Sequence, residues 1–383
     1  AIYIGWLMHG VLGGLIAGIL FLLPSLVLLI SLSWVYIVFG DVPTVAGVLY
    51  GIKPAVTAIV VFAAYRIGSK ALKNGVLWGL SAAAFVAIFA FDVPFPYIVL
   101  AAAVLGYVGG QVLPDKFKSG GGHGASGKGY GAALIDDHTP VPDHARFLWP
   151  RVLMFLTVGV ALWLVTMAAL YSQGGWQGTL TQMGWFFTKA AFLTIGGAYA
   201  VLPYVYQGGV EQYGWLTGLQ MIDGLALGET TPGPLIMVVT YVGYIGGWTK
   251  QVFGPEQLAL GGLAGAMVAT FFTFLPSFLF ILIGGPAIEA SRHDLKLAAP
   301  LTAITAAVVG VIINLAVFFA WHVLWPQATT ASPFAGTFEW FSAVVGVVAF
   351  IALWRYKISV IAVIGACGLA GLAYTFTRPL IGA

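Results

Sequence analysis

Charge is what this sequence has least of. Of its 383 residues only 8% are Asp, Glu, Lys or Arg, against about 25% in an ordinary soluble domain. With 60% of residues hydrophobic, a water-facing surface cannot be assembled that hides the rest, so a soluble globular fold is excluded. The net charge of +3 says little about partners, and nucleic acid is not expected among them. Cysteine is nearly absent. The single Cys367 rules out an intrachain disulfide and an all-cysteine metal site. A charged leader is also missing: the chain opens at Ala1 already inside an apolar stretch, which is not a typical signal peptide. Further residues are expected upstream. What the chain has in quantity is glycine, 51 residues, as suits membrane helices that pack through small side chains.

Apolar runs predict an all-α polytopic membrane protein with about eleven spans. They fall at 13–39, 51–66, 76–92, 96–113, 151–172, 184–206, 217–247, 258–283, 298–325, 337–353 and 358–376. Residues 114–149 are different, rich in Gly, Asp and His, and read as a linker between halves. His123, His138 and His144 lie there near Asp136, Asp137 and Asp143, in a spacing that fits no standard zinc or calcium pattern. No metal or other cofactor is expected. Lys and Arg cluster at Arg66, Lys70 and Lys73, in the linker, at Arg292 and Lys296, and at Arg355 and Lys357. Counting spans between these loops puts them all on one face, the cytoplasmic one. Lys250 and Arg378 are exceptions.

The halves repeat. Gly13 followed by Leu23-Pro24-Ser25 aligns with Gly265 followed by Leu275-Pro276-Ser277, and the run from Pro54 resembles the run from Pro300. Ile4-Gly5-Trp6 likewise matches Val242-Gly243-Tyr244. The matched spans 13–39 and 258–283 are separated by an odd number of crossings, so they run in opposite directions. This predicts an inverted-topology repeat with discontinuous transmembrane helices, the architecture of secondary transporters. The expected units are a first repeat at 1–113, a cytoplasmic linker at 114–149, and a second repeat with an extra leading span at 150–383.

The candidate site is a break inside the span 217–247. Glu229, Thr230, Thr231, Pro232, Gly233 and Pro234 interrupt an apolar run. Two prolines in three residues remove two backbone donors and obstruct a continuous helix. In a membrane such a break must face protein or a wet cavity. One helix is expected to end near Gly228 and a second to start near Thr231, with Thr231 as its cap and Pro232 in its first turn. The new N-terminus would offer bare amides and a positive dipole end to an anion; a plain proline kink is the alternative. A second break is expected at Gly196 and Gly197, where backbone can approach a ligand closely. Thr230, Thr231 and Thr240 add hydroxyls. Glu229 and Asp223 read as coupling groups or electrostatic partners. Lys189 either attracts an anion or snorkels to the interface, and Lys53 faces a vestibule. Arg66 reads as an anchor on the basic face.

The string Gly228-Glu229-Thr230-Thr231-Pro232-Gly233-Pro234 with Gly243-Tyr244 resembles the chromate ion transporter family. So do Gly196-Gly197-Ala198-Tyr199 with Leu202-Pro203, Gly214-Trp215-Leu216 leading to Asp223-Gly224, and the repeated Leu-Pro-Ser. The resemblance covers nearly the whole chain. It implies a two-domain membrane protein that moves chromate, a tetrahedral dianion close to sulfate, with a role in chromate efflux and resistance. It carries the binding motifs onto Thr231, Pro232, Gly233 and Pro234 and onto Gly196 and Gly197. Members usually carry a first-half copy of both motifs, and none stands in these 383 residues. The expected function is therefore secondary or potential-driven efflux of chromate across the inner membrane. A transporter of sulfate or another oxyanion and an anion channel are the alternatives. Chromate, sulfate, protons or another counter-ion, membrane lipid and a second copy of the chain are the candidate partners. Enzymatic activity is not expected, since the spans offer almost no clustered His, Asp or Ser.

Overall fold

The computed structural model describes residues 1–117, 142–194, 198–290, 298–328 and 332–381, and every regular element among them is helical. The first half holds α1 (Ile2–Phe39), α2 (Pro43–Ala71), α3 (Gly75–Phe91), α4 (Phe95–Val112) and the short α5 (Pro114–Phe117). The second holds α6 (Trp149–Gly174), α7 (Thr179–Leu193), α8 (Ala198–Tyr206), α9 (Gly218–Thr230), α10 (Val238–Thr249), α11 (Leu258–Ala290), α12 (Ala298–Leu324), α13 (Trp340–Trp354) and α14 (Val360–Ile381). Among the described residues, seven helices are long and apolar enough to cross a membrane. The chain is a multi-pass membrane protein, as its composition requires.

Two of the expected spans fold back on themselves. Were 217–247 one broken rod, Gly224 and Tyr241 would stand about 25 Å apart. Instead a Cβ placed on Gly224 would overlap the Tyr241 ring, and one on Gly228 would lie 3.4 Å from Val238 Cβ. The α9 and α10 helices therefore fold back on each other. The stretch 184–206 does the same: the Phe186 and Tyr204 rings stack with centroids 4.7 Å apart, although one belongs to α7 and the other to α8. Both pairs are helical hairpins whose ends lie at the same end of the packed pair. An arm of 13 residues reaches only about 20 Å, short of the roughly 30 Å hydrocarbon core. Counting two hairpins in place of two crossings leaves the expected direction of every other span unchanged. Only the expected side of the connection 207–217, free of Lys and Arg, changes.

Aromatic side chains tie the two hairpins together at their base. Phe187 and Tyr213 both stack on Trp215, with centroids 5.8 and 4.6 Å away. The Trp215 amide donates to the Gly209 carbonyl over 2.7 Å. The α9 helix then starts in a capping box: the Gln220 amide donates to Thr217 Oγ1 and the Thr217 amide to Gln220 Oε1.

Glycine sets the closest helix contacts. The α10 helix lies on α11 with Gly243 against the Gly265 carbonyl and Gly247 against that of Gly261. The chain also reverses inside α1, at His9 and Gly10, where Gly10 has φ 64°. Residues 2–8 thereby lie back on the long helix that follows, with Gly5 and Gly13 in mutual contact. The remaining helices pack crosswise between halves. The α2 helix lies against α13 and α14, with Gly51 on the backbone of Cys367 and Gly371; α12 lies against α3 and α4, with Gly310 on the Ser81 carbonyl and Gly106 on Ala303.

Candidate functional site

The α9 helix ends where its sequence stops supporting it. Pro232 and Pro234 carry no amide proton, and Gly233 takes φ 134°, open chiefly to glycine. The carbonyls left at the helix end find local donors. Thr230 Oγ1 donates to the Leu227 carbonyl (2.8 Å) and Thr231 Oγ1 to that of Gly228 (2.9 Å). The Thr231 amide also donates to Gly228. Thr231 thus closes α9 and does not cap the helix that follows, contrary to the expectation from its position. Pro232 is not in a first helical turn either: helix resumes only at the 3-10 turn Leu235–Met237, after Pro234. The reason is the reversal itself, which needs the non-helical residues 231–234.

The donors at the tip are accordingly backbone ones. Among the described residues, the amides of Gly233, Leu235 and Ile236 have no hydrogen-bond partner. They sit at the start of a helical arm, where the dipole favours negative charge. Pro232 and Gly233 are exposed. The tip rests on the first half of the chain, with the Ser25 hydroxyl donating to the Pro232 carbonyl. Ser25 belongs to the Leu-Pro-Ser motif of α1, where Pro24 removes one rung of the helical ladder.

The two hairpins meet near their tips. Tyr199, two residues into α8, donates its hydroxyl to Glu229 Oε1 at the end of α9. Arg66 on α2 acts electrostatically on both groups. One turn and a half back along α9, Asp223 lies buried between the halves. Its Oδ2 accepts from the Tyr36 hydroxyl of α1 (3.0 Å) and pairs with Lys53 Nζ of α2 at 3.5 Å. Lys53 and Asp223, far apart in sequence, are thus brought together.

Other expected members stand elsewhere. Lys189 lies over the exposed Trp185 ring, 5.8 Å from its centroid, and makes no ion pair among the described residues. Thr240 shares a hydrogen bond with Thr270 of α11 (2.8 Å) and so fastens α10 to α11. Gly196 and Gly197 lie outside the described residues, as do His123 and His138. His144 is described, and its Nε2 meets the Trp6 carbonyl at 2.8 Å. Sequence reasoning named Tyr199 only within a motif and Ser25 only as part of a repeat; Tyr36 and Tyr241 carried no signal. Two cavities among the described residues have apolar linings. One, about 290 Å³, runs between α2, α12 and α13; the other, about 430 Å³, is bounded by Tyr36, Ile52 and Leu227 among others.

The model of the chromate transporter family matches residues 1–107 and 181–372. The chain belongs to the chromate transporter family. The chromate transport protein of Pseudomonas aeruginosa is 34% identical over 379 residues, which span 97% of this chain and 77% of that protein. The chromate transport protein of Cupriavidus metallidurans is 27% identical over 84% of this chain and 68% of its own length. A probable chromate transport protein of Synechococcus elongatus is 25% identical over 92% and 74%. No solved structure matches this one. The matched stretches of the transporter contain α8, α9 and α10, all of α7 but its first two residues, and the Ser25, Lys53 and Arg66 positions of the first half.

Proposed function

We propose that this family member carries chromate outward across the inner membrane, with sulfate as a competing tetrahedral cargo. The observation that carries the reading is the tip of the second hairpin. Amides of Gly233, Leu235 and Ile236 that have no partner among the described residues suit a dianion that must also be released. Gly196 and Gly197 are proposed to add amides from the first hairpin. Glu229 would repel the guest if it stood alone; Arg66 offsets its charge, and the hydrogen bond from Tyr199 ties α8 to the end of α9.

The mechanism proposed is alternating access between two inverted repeats, 1–113 and 150–383, joined by the linker 114–149. Three features support the repeat. The reversal at residues 9 and 10 lays 2–8 on its neighbour as α10 lies on α11, each through a glycine pair. The crosswise packing of α2 and α12 has the same exchange symmetry. The Leu-Pro-Ser of α1 touches a hairpin tip, and its counterpart recurs in α11. Export of a dianion from a negative interior is assisted by about 4.6 kcal/mol per 100 mV.

Counterflow of radiolabelled chromate in proteoliposomes tests this. The wild type is expected to exchange chromate, with sulfate competing. Gly233→Val, which strains the turn and collides with Ser25, is expected to lower exchange at least about tenfold. Exchange of sulfate without chromate would refute the cargo. Full exchange in Gly233→Val would refute the site, and conductance without counterflow would replace the carrier with a channel.

A further inference from the structure

The buried pair at α9 is more than a brace. Asp223 is only 2% exposed, yet Oδ1 has no partner, because both of its contacts fall on Oδ2. The hydroxyl of Tyr241, also fully buried, makes no hydrogen bond of good geometry and lies beside Tyr36 and Asp223 in the same cluster. The groups facing Asp223 are Tyr36 from α1, Lys53 from α2 and Tyr241 from α10. The helices α12 and α14 also touch α9, and no titratable group on either acts on Asp223. Among the described residues its single cationic partner is therefore Lys53. That lysine is about a quarter exposed (26%), while the carboxylate is sealed.

We infer that Asp223 is a proton-binding site coupled to oxyanion movement, with Lys53 as the shared cation. The inference rests on the chromate reading above. While Lys53 is free of cargo, the ionised Asp223 neutralises it. An oxyanion arriving at α2 takes Lys53 as its counter-charge. The carboxylate is then a buried anion with no cation left, which is untenable in a low-dielectric site. It binds a proton from water reaching the exposed side of Lys53. One proton is bound as one oxyanion is bound, both leave together, and the carrier returns with the Lys53–Asp223 pair restored. Because the pair joins α2 to α9, its opening also removes one of the ties between the second hairpin and the first half of the chain, those of Tyr36 and Ser25 remaining.

The test uses the full-length protein in proteoliposomes loaded with a pH-sensitive dye, at a pH where chromate is entirely the dianion. Labelled chromate and protons are followed together. The wild type is expected to move about one proton with each chromate, in the same direction, as a single titrating group requires. Asp223→Asn is expected to reduce the proton-to-chromate ratio at least about tenfold, a change that loss of a merely structural contact would not produce. Asp223→Glu keeps a titrating carboxyl beside Lys53 and guards against misreading a folding defect; it should keep the ratio near one. An unaltered ratio in Asp223→Asn, a lost ratio in Asp223→Glu with chromate still moving, or protons moving opposite to chromate in the wild type overturns the inference. Absence of chromate counterflow in the wild type would instead refute the cargo reading, which the same assay separates by its label.

Discussion

Whether α9 and α10 fold back on each other can be decided with two side chains. A methyl group at Gly224 would overlap Cδ1 and Cε1 of Tyr241 and lie 3.1 Å from Cγ. Tyr241 is fully buried, so its ring has no free space to yield into. Overpacking of this kind costs about 1–3 kcal/mol, less about 1 kcal/mol gained from alanine's helix propensity. Tyr241→Ala alone should cost about 3–5 kcal/mol by opening a cavity. Once the ring is gone, the methyl at 224 has room. The two substitutions together should then be less harmful than their sum by about 1–3 kcal/mol. In an unbroken rod the two positions would be about 25 Å apart and their effects would add within about 0.5 kcal/mol. Equilibrium unfolding of the four proteins in mixed micelles, followed by circular dichroism, gives the coupling directly. A value indistinguishable from zero would refute the hairpin.

Two further outcomes follow from the same geometry. In a Cys367→Ala background, Gln212→Cys should react with an impermeant thiol reagent from the same face as Glu256→Cys, and from the face opposite the basic loops; labelling of residue 212 from the basic face would restore the two crossings. Gly5→Ala and Gly243→Ala should each destabilise by about 1–3 kcal/mol, because each methyl meets a neighbouring carbonyl rather than a mobile side chain. Matched losses support the repeat, and a stabilised variant at either site would count against it.

The membrane class and the helical content were legible because composition alone forces them. The break at Glu229–Pro234 was legible too, since two prolines and a glycine leave a helix little choice. What happens after the break was not. A rod and a hairpin share one hydropathy profile, and the direction of α10 is decided by contacts such as Gly224 with Tyr241 and Trp215 with Gly246. The same limit explains Thr231. Its position invites a capping role for the next helix, but the reversal consumes residues 231–234 and turns its hydroxyl back to Gly228. Asp223 and Lys53 stood out as rare charges in apolar surroundings. That they pair, and that Tyr36 joins them, depends on the placement of α2 against α9, which no local pattern encodes.

The distance along the chain between Lys53 and its carboxylate has a bearing on biosynthesis. The ribosome must add about 170 more residues before Asp223 emerges, at least several seconds of elongation at about 5–20 residues per second. Throughout that interval α2 is a membrane segment with an uncompensated ammonium group. It also lacks α13 and α14, the helices it will eventually lie against. Newly made α2 therefore has to linger at the translocon, or near the aqueous boundary, until the second half of the polypeptide arrives to receive it.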